Sequence, residues 1–201
     1  MSFKPLLRRI AAKTSPGRSP SYGEAQVLIA LELSSGNGIG RASLGARLGI
    51  GEGVVRTLTR HLMTEGLVII SPKGIAISKK GRRLLSEIHS LLPNGVEVPA
   101  TNDVVGQHSY AVLVKGAAEK VRFGVEQRDA ALLSGARGAT TIVYTTSGVN
   151  IPGIDKDPTP PLTIFLEKEI KPYEGDVIVL GTGDTNIEAI TGAYAAALTL
   201  I

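Results

Sequence analysis

The chain has 201 residues, of which 43% are hydrophobic, and both values are ordinary for one large or two small globular domains. No apolar stretch is long enough to span a bilayer and the N-terminus lacks a signal-peptide pattern, so we expect a cytoplasmic protein without a membrane partner. The absence of cysteine excludes disulfides and thiolate metal sites, and three scattered histidines argue against a histidine-rich one. We therefore expect no metal and no cofactor.

The charge is unevenly divided along the chain. Residues 1–99 hold 14 Lys and Arg against 6 Asp and Glu, a net charge of +8, whereas residues 100–201 hold 8 against 12, a net charge of −4. Only the first half is suited to approach a polyanion. We place a boundary near Pro93 to Asn102 and predict three parts: a basic arm (1–20), a DNA-binding domain (21–93) and a C-terminal domain (103–201).

The first predicted part, Met1–Pro20, is a basic N-terminal arm with a short helix around Leu6 to Ala12. Its interpretation stays open between an arm that reaches the DNA backbone or minor groove and a solvated tail. Its basic residues are Lys4, Arg8, Arg9, Lys13 and Arg18.

The first core helix is predicted to begin at an S-x-x-E capping box formed by Ser21 and Glu24. An apolar pattern follows, and residues 34–38 are predicted to form a loop.

Two short helices joined by a tight turn are predicted between Gly38 and Leu67. The first runs from about Ala42 to Leu48 and ends at Gly49, where a left-handed residue is needed, and Gly51 opens the second. The second helix has a predicted buried stripe and a basic, hydroxyl-bearing opposite face, which is the pattern of a helix-turn-helix. The stripe comprises Val54, Val55, Leu58, Leu62 and Met63, and the opposite face comprises Arg56, Thr57, Arg60 and Thr64.

A hairpin with a basic tip is predicted next, from the β-branched runs Leu67–Ile70 and Gly74–Ile77 around Lys73. The succession of helix, G-x-G-E-G, V-R-T-L, E-G-L-V and S-K-K-G-R-R-L-L over about residues 21–92 resembles the winged-helix transcription regulators. The whole chain also resembles an archaeal family that joins such a domain to a C-terminal domain of unknown function. The first resemblance implies binding to double-stranded DNA; the second implies an architecture and no chemistry.

Within this pattern, the exposed basic residues are predicted to contact DNA. Arginines of the second helix can fork onto guanine or grip phosphate, while lysines at and after the hairpin provide affinity without sequence information. The alternative is a solvated face, or a protein partner in place of DNA. The predicted contacts are Arg41, Arg56, Thr57, Arg60, Lys73, Lys79 and Lys80, whereas His61 is predicted at the helix flank and not as a ligand.

A further helix is predicted from Ser78, its cap, with an apolar stripe from Leu84 to Leu92. The stripe either packs on the domain's own core or pairs with its copy in a homodimer, which would read two DNA half-sites. A sheet edge of the C-terminal domain is the other candidate seam.

The C-terminal part is predicted to be a small mixed α/β domain after a linker at residues 96–103, which makes the whole chain an α+β protein. The expected strands are Ser109–Val114, Thr140–Thr145, Leu162–Leu166 and Asp176–Leu180, and the expected helices are Gln127–Ser134 and Asn186–Leu200. The proline-rich loop at residues 147–161 either covers a site or only connects two elements.

Two segments of this domain are predicted to form the walls of one pocket for a small polar or anionic effector. Each precedes a predicted helix, whose N-terminal N–H groups favour negative charge. The alternatives are a plain tight turn for the glycine-rich segment and ordinary helix capping for the other. The predicted ligand-binding residues are Gly124, Glu126, Gln127, Arg128 and Asp129 in the first segment, and Gly181, Gly183, Asp184 and Asn186 in the second.

The sequence thus predicts a DNA-binding transcription regulator whose C-terminal domain senses an effector or forms a dimer. No nucleophile elbow, zinc-protease motif or kinase signature occurs, and the histidines have no triad spacing, so we assign no catalytic residue. The alternative is an enzyme, or a domain derived from one, that acts on a phosphorylated or polar metabolite and is fused to the winged helix.

Overall fold

A computed structural model describes residues 3–12, 21–100, 106–146, 148–154 and 157–201. The chain divides into two compact units, Met1–Ile88 and His89–Ile201. Among the described residues, no helix is long and apolar enough to cross a membrane.

The N-terminal unit consists of helices followed by one hairpin. The helices are α1 (Lys4–Ala11), α2 (Glu24–Ser34), α3 (Arg41–Leu48) and α4 (Glu52–Thr64), the strands are β1 (Val68–Ser71) and β2 (Gly74–Ile77), and α5 (Lys79–Leu91) continues past the end of the unit.

The turn between α3 and α4 has the predicted conformation. Gly49 ends α3 in the left-handed region with φ 65°, and Gly51 is the extended N-cap of α4. A left-handed residue at this position favours glycine, because other side chains are strained there. The helix-turn-helix pair is therefore formed as expected.

The buried face of α4 differs from the predicted stripe at its end. Val55, Leu58 and Leu62 are buried as expected, but Met63 is 45% exposed. His61 takes its place on the inner side of the helix and is itself buried. The prediction that Met63 is buried was wrong. The buried face of the helix includes His61 instead, and the polar partners of His61 lie inside the unit.

The hairpin pairs β1 with β2 in antiparallel register, from Val68 opposite Ile77 to Ser71 opposite Gly74. A single bridge between Ile39 and Ile75 adds a third, minimal strand from the segment before α3. Gly74 has φ 107°, and a Cβ on it would lie 2.4 Å from the Ile39 carbonyl oxygen. This glycine therefore permits the hairpin to lie against the segment that leads into α3.

Helix α2 begins two residues later than predicted from the capping box. Its N-cap is Gly23, and the Gln26 side chain accepts a hydrogen bond from the Gly23 N–H at 2.8 Å. Glu24 instead forms an ion pair with Arg8. At α5 the predicted cap is present, since the Ser78 hydroxyl accepts a hydrogen bond from the Gly81 N–H at 3.0 Å.

The C-terminal unit is built on one five-stranded antiparallel sheet with the order β3-β4-β7-β5-β6. Its strands are β3 (Val96–Val98), β4 (His108–Val114), β5 (Gly138–Thr145), β6 (Gly148–Asn150) and β7 (Val177–Gly183). Its helices are α6 (Val125–Leu133), α7 (Pro160–Glu169) and α8 (Asn186–Ala197), with short 3-10 turns at Ala118–Lys120 and Leu198–Leu200.

Helices cover both faces of this sheet. On one face, Leu162 and Leu166 of α7 share a core with sheet residues such as Ile142, Ile178 and Leu180. On the other, α8 packs closely on β7, where a Cβ on Gly181 would meet backbone atoms of α8. Strand β7 alternates between these two layers and is buried along its whole length.

Two predicted elements of this unit were wrong. Residues 162–166 form part of helix α7 and not a strand, because Pro160 and Pro161 open the helix and the two leucines lie at i and i+4 on its buried face. Residues 96–98 of the predicted linker form strand β3, which pairs with residues 109–111 of β4. Residues 99 and 100 of that linker have no regular secondary structure, and residues 101–103 lie outside the described residues.

Candidate nucleic-acid interface

The exposed side of α4 carries the arginines predicted to reach DNA. Arg56 and Arg60 are both exposed and lie one turn apart, and Arg56 is only loosely tied to Glu52, at 3.7 Å. Thr57 is half-buried, and its hydroxyl donates a hydrogen bond to the Gly53 carbonyl oxygen at 3.2 Å. The two arginines are therefore available to a partner, whereas the donor of Thr57 is already used within the helix.

A groove of about 770 Å³ runs beside these arginines, between α4 and the hairpin. Arg41, at the start of α3, joins Arg56 and Arg60 in lining it. The other lining residues are small, apolar or hydroxyl-bearing: Gly40, Thr59, Met63, Thr64, Ile70, Gly74 and Ile75. The structure thus brings together three of the predicted DNA-contacting residues from two helices.

The predicted lysines lie at and after the hairpin. Lys73 at its tip and Lys79 at the start of α5 are exposed. The Lys80 ammonium group donates a hydrogen bond to the Glu65 carbonyl oxygen at 2.7 Å, at the C-terminal end of α4. A cation at this end of a helix is favoured by the helix dipole. Lys80 therefore has a structural partner within the protein, in addition to its predicted contact with phosphate.

The basic arm, whose interpretation the sequence leaves open between a DNA-contacting arm and a solvated tail, contains over residues 3–12 a helix that packs within the N-terminal unit. Leu7 and Ile10 of α1 are fully buried. Arg9 forms a two-pronged pair with Glu65, with both N–O distances at 2.8 Å. The hydrogen bond from Arg9 lowers the pKa of the Glu65 carboxyl group. Arg9 therefore holds α1 in place and is not a free arm residue; Lys13 and Arg18 lie outside the described residues.

A buried polar pair that the sequence did not indicate also holds α1. The Tyr22 hydroxyl and His61 Nδ1 share a hydrogen bond of 2.7 Å, and both lie within 3.4 Å of the Ile10 carbonyl oxygen. Burial raises the pKa of Tyr22. The sequence placed His61 next to a buried leucine, but nothing in it identified Tyr22 as the partner.

In the C-terminal unit, the predicted glycine-rich ligand segment is occupied by contacts of the protein itself. Gly181 and Gly183 lie inside β7 and are buried. Asp184 accepts a hydrogen bond from Arg137 Nε at 2.8 Å, which lowers the pKa of its carboxyl group, and its N–H donates to Glu188 at 2.8 Å. These glycines allow close packing of α8 on β7, a role that neither the ligand prediction nor the tight-turn alternative included.

The other predicted ligand segment surrounds the start of α6. Gly124 caps the helix in the left-handed region with φ 73°, Glu126 is exposed, and Arg128 pairs with Asp129 at 3.2 Å. Gln127 is buried, and its amide nitrogen donates to the Thr199 hydroxyl at 2.7 Å.

Two buried oxygens remain close to this helix. Gln127 Oε1 and Thr141 Oγ1 find no hydrogen-bond partner among the described residues. A Cβ on Gly124 would lie 3.4 Å from the Thr141 hydroxyl, which places the threonine beneath the start of α6.

Gln127 and Asp184 lie at opposite ends of α8, but Arg128 of the first segment lies beside Gly138, which pairs with Thr182 of the second, so one shared pocket stays a prediction. Gln127 in the first turn of α6 contacts Thr199, which follows the C-terminal end of α8, whereas Asp184 directly precedes the N-terminal end of α8. A helix of 12 residues separates them by about 18 Å. The sequence could not show that Gln127 contacts the residues that follow α8.

A separate apolar cleft of about 530 Å³ lies where α7 begins and β3 ends. Its lining comprises Val98, Pro99, Ala100, Thr159, Pro161, Leu162 and Phe165. Since Pro160 and Pro161 have no N–H, the first turn of α7 offers few donors to an anion. The residues suit an apolar group better than the polar ligand that the sequence predicted.

Two family models match the two halves of the chain separately, and one solved structure is similar to nearly the whole chain. Residues 26–92 match the model of the "CggR N-terminal DNA binding domain", and residues 105–200 match a "Domain of unknown function (DUF4443)". A solved structure of a hypothetical protein from Pyrococcus horikoshii OT3 is similar, with 26% identity and a TM-score of 0.73 over 90% of this chain and 93% of that chain. No curated protein matches the chain. These matches confirm the predicted architecture, a DNA-binding domain joined to a domain of unknown function, and support DNA as a partner.

Proposed function

We propose that the protein is a transcription regulator that lays α4 in the major groove of DNA, as a winged helix does, with the hairpin against the backbone. The observation that carries this proposal is the exposed arginine pair of α4, held by a helix-turn-helix and flanked by a basic hairpin. Arg56 and Arg60 project from the side of α4 opposite its buried face and line the groove with Arg41, while Lys73 lies exposed at the hairpin tip. The match of residues 26–92 to a DNA-binding domain supports the same conclusion.

The test begins with fragments selected from the organism's own genomic DNA. Replacing Arg56 and Arg60 with Ala should weaken binding to the selected sequence by about 1 to 3 kcal/mol for each base-contacting arginine. Lys73→Ala should weaken all sequences alike, and binding should fall steeply as salt rises. Arg47→Ala is the matched control, because Arg47 is an exposed arginine of α3 that does not line the groove.

An unchanged affinity in the double arginine variant, with the fold intact by circular dichroism, would exclude α4 from the major groove. A flat salt profile would instead indicate that the basic half meets a protein.

The proposal includes a homodimer that reads two half-sites, because one such domain contacts only a few base pairs. Leu84, Leu85, Ile88 and Leu92 of the predicted apolar stripe are already buried in one chain, and only Leu91 is exposed, at 41%. The edge strands β3 and β6 are therefore the better candidates for the dimer interface. Sedimentation that shows a monomer at micromolar concentration, both free and on DNA, would refute the dimer.

The effector is the last part of the proposal. Of the two predicted segments, the start of α6 supports it better, because α6 has no side-chain cap and Gln127 Oε1 has no partner among the described residues. Arg128→Ala should abolish the response of DNA binding to the effector and leave DNA affinity itself unchanged. A metabolite screen that leaves the melting temperature unmoved would count against an effector.

A further inference from the structure

The groove between α4 and the hairpin has the composition of a site for a small molecule. Its volume of about 770 Å³ is within the usual range for ligand pockets, roughly 300 to 1,000 Å³. Such pockets combine mostly apolar walls with a few polar groups that fix the ligand's orientation. Met63 and Ile70, which are 45% and 59% exposed, and the buried Ile75 supply the apolar part.

The charged residues that line the groove are all positive. Arg41, Arg56 and Arg60 line it, and none of its lining residues is acidic. Among the described residues, no ion pair holds Arg41 or Arg60, and Arg56 has only the 3.7 Å contact with Glu52. Guanidinium groups bind carboxylate and phosphate through paired, charge-assisted hydrogen bonds. The rim of the groove is therefore complementary to an anionic head group.

A buried hydroxyl lies in the same wall. Thr59 is 6% exposed and lines the groove, and its Oγ1 finds no hydrogen-bond partner among the described residues. The hydroxyls of Thr57 and Thr64, on the same helix, donate to backbone carbonyl oxygens one turn earlier. An unused buried hydroxyl costs free energy unless something meets it, which a ligand oxygen would do.

From these three observations we infer that the groove binds a small amphipathic anion, namely an apolar chain or ring that carries one carboxylate or phosphate group. The apolar part lies against Met63 and Ile70, and the anionic head lies between Arg41 and Arg60. Because Arg56 and Arg60 are also the proposed DNA contacts, such a ligand competes directly with DNA. Only this competition rests on the proposed function; the binding of the ligand does not.

The chain offers a specific probe of this groove, because its only methionines are Met1 and Met63. Full-length protein labelled with carbon-13 at the methionine methyl groups gives two signals, and Met63→Leu identifies the one from the groove. Octyl phosphate, kept below its micelle concentration, is the test ligand. Two compounds are the controls: octanol, which has the apolar chain without the anionic group, and inorganic phosphate, which has the anionic group without the chain.

We expect octyl phosphate to shift the Met63 signal saturably, and each control to bind at least about tenfold more weakly. Arg60→Gln should weaken octyl phosphate by about tenfold or more, since a charge-assisted hydrogen bond is lost. Arg47→Gln, outside the groove, should leave its affinity unchanged. A Met63 signal that does not move, equal binding of octanol, or an unaffected Arg60→Gln variant would each overturn the inference.

A second measurement separates this inference from the proposed function. A labelled genomic fragment bound to the protein should be displaced by octyl phosphate and not by octanol. If no fragment binds while Met63 still responds, the proposed function fails and the ligand site stands. If DNA binds and Met63 ignores octyl phosphate, the ligand site alone is refuted. Saturation at Met63 without displacement of DNA would refute the competition.

Discussion

Substituting Gly181 with Ala tests whether the glycines of β7 serve packing or a ligand. A Cβ on Gly181 would lie 2.3 Å from the Ala193 nitrogen, 2.4 Å from the Ala189 carbonyl oxygen and 2.7 Å from the Ala193 Cα atom. All three are backbone atoms in the middle of α8, so no side-chain rotation can relieve the overlap. The helix and the strand would have to separate.

The size of the effect follows from this geometry. Extra methyl groups in a packed core typically cost about 1 to 3 kcal/mol, and overlap with three backbone atoms of α8 places Gly181→Ala at the upper end. For a domain of about 100 residues, each kcal/mol lowers the melting temperature by roughly 4 to 8 °C. We therefore expect a fall of more than about 10 °C, measured by calorimetry on the full chain without any ligand.

Gly53→Ala is the control for this experiment. A Cβ on Gly53 meets no atom of the described residues within 4 Å, and the residue lies in the exposed first turn of α4. Alanine in a helix is favoured over glycine by up to about 1 kcal/mol, so this variant should not lose stability. If Gly181→Ala melted at the wild-type temperature, the close packing of α8 on β7 would be wrong, and a ligand would be the better reason for the glycine.

Three further predictions concern buried or paired polar groups. The Arg9 pair lowers the pKa of Glu65 in the folded state, so its stabilisation is present above the ordinary glutamate pKa and is lost as the pH falls through the lowered value. Glu65→Gln should thus destabilise at pH 7, and in a series of unfolding measurements at decreasing pH the difference from wild type should shrink once the pH is below the ordinary glutamate pKa of about 4.3. Tyr22→Phe removes the hydrogen bond to His61 and should cost about 0.5 to 1.5 kcal/mol in urea unfolding; an unchanged midpoint would show that the bond contributes nothing. Gln127→Met removes a buried oxygen that has no partner among the described residues, and it also removes the hydrogen bond from the Gln127 amide nitrogen to Thr199. These two effects oppose each other, so stability without ligand should change by less than about 1.5 kcal/mol, and a loss above about 3 kcal/mol would indicate that the oxygen also has a partner.

The parts of the fold that local chemistry determines could be predicted from the sequence. Gly49 marks the left-handed end of α3, and the β-branched runs on either side of Lys73 give the hairpin. The charge difference between the halves, which comes from composition alone, indicated the polyanion-binding half. Each of these signals lies within a few residues or in a simple count, so no tertiary knowledge was needed.

The parts that failed depend on distant neighbours. By its spacing Met63 fits the buried stripe. In the structure His61 is buried in its place and shares a hydrogen bond with the Tyr22 hydroxyl. Arg9 looks like a free basic residue until Glu65, far along the chain, is brought beside it. Periodicity describes one helix at a time and cannot show which element supplies the partner.

The helices of the C-terminal unit differ in what they can offer an anion, and this narrows where a polar effector would bind. At the start of α8, two N–H groups already have side-chain acceptors. The Thr185 hydroxyl accepts from the Glu188 N–H, and the Glu188 carboxylate accepts from the Asp184 N–H. The start of α7 lacks two donors at its proline pair. Helix α6 begins at Gly124 with no side-chain cap, so its first N–H groups keep their donors. Among the described helices of this unit, α6 is thus the one whose first turn has neither a side-chain cap nor a proline, although the carboxylate of Glu126 there would oppose an anion, whereas the cleft beside α7 suits an apolar group.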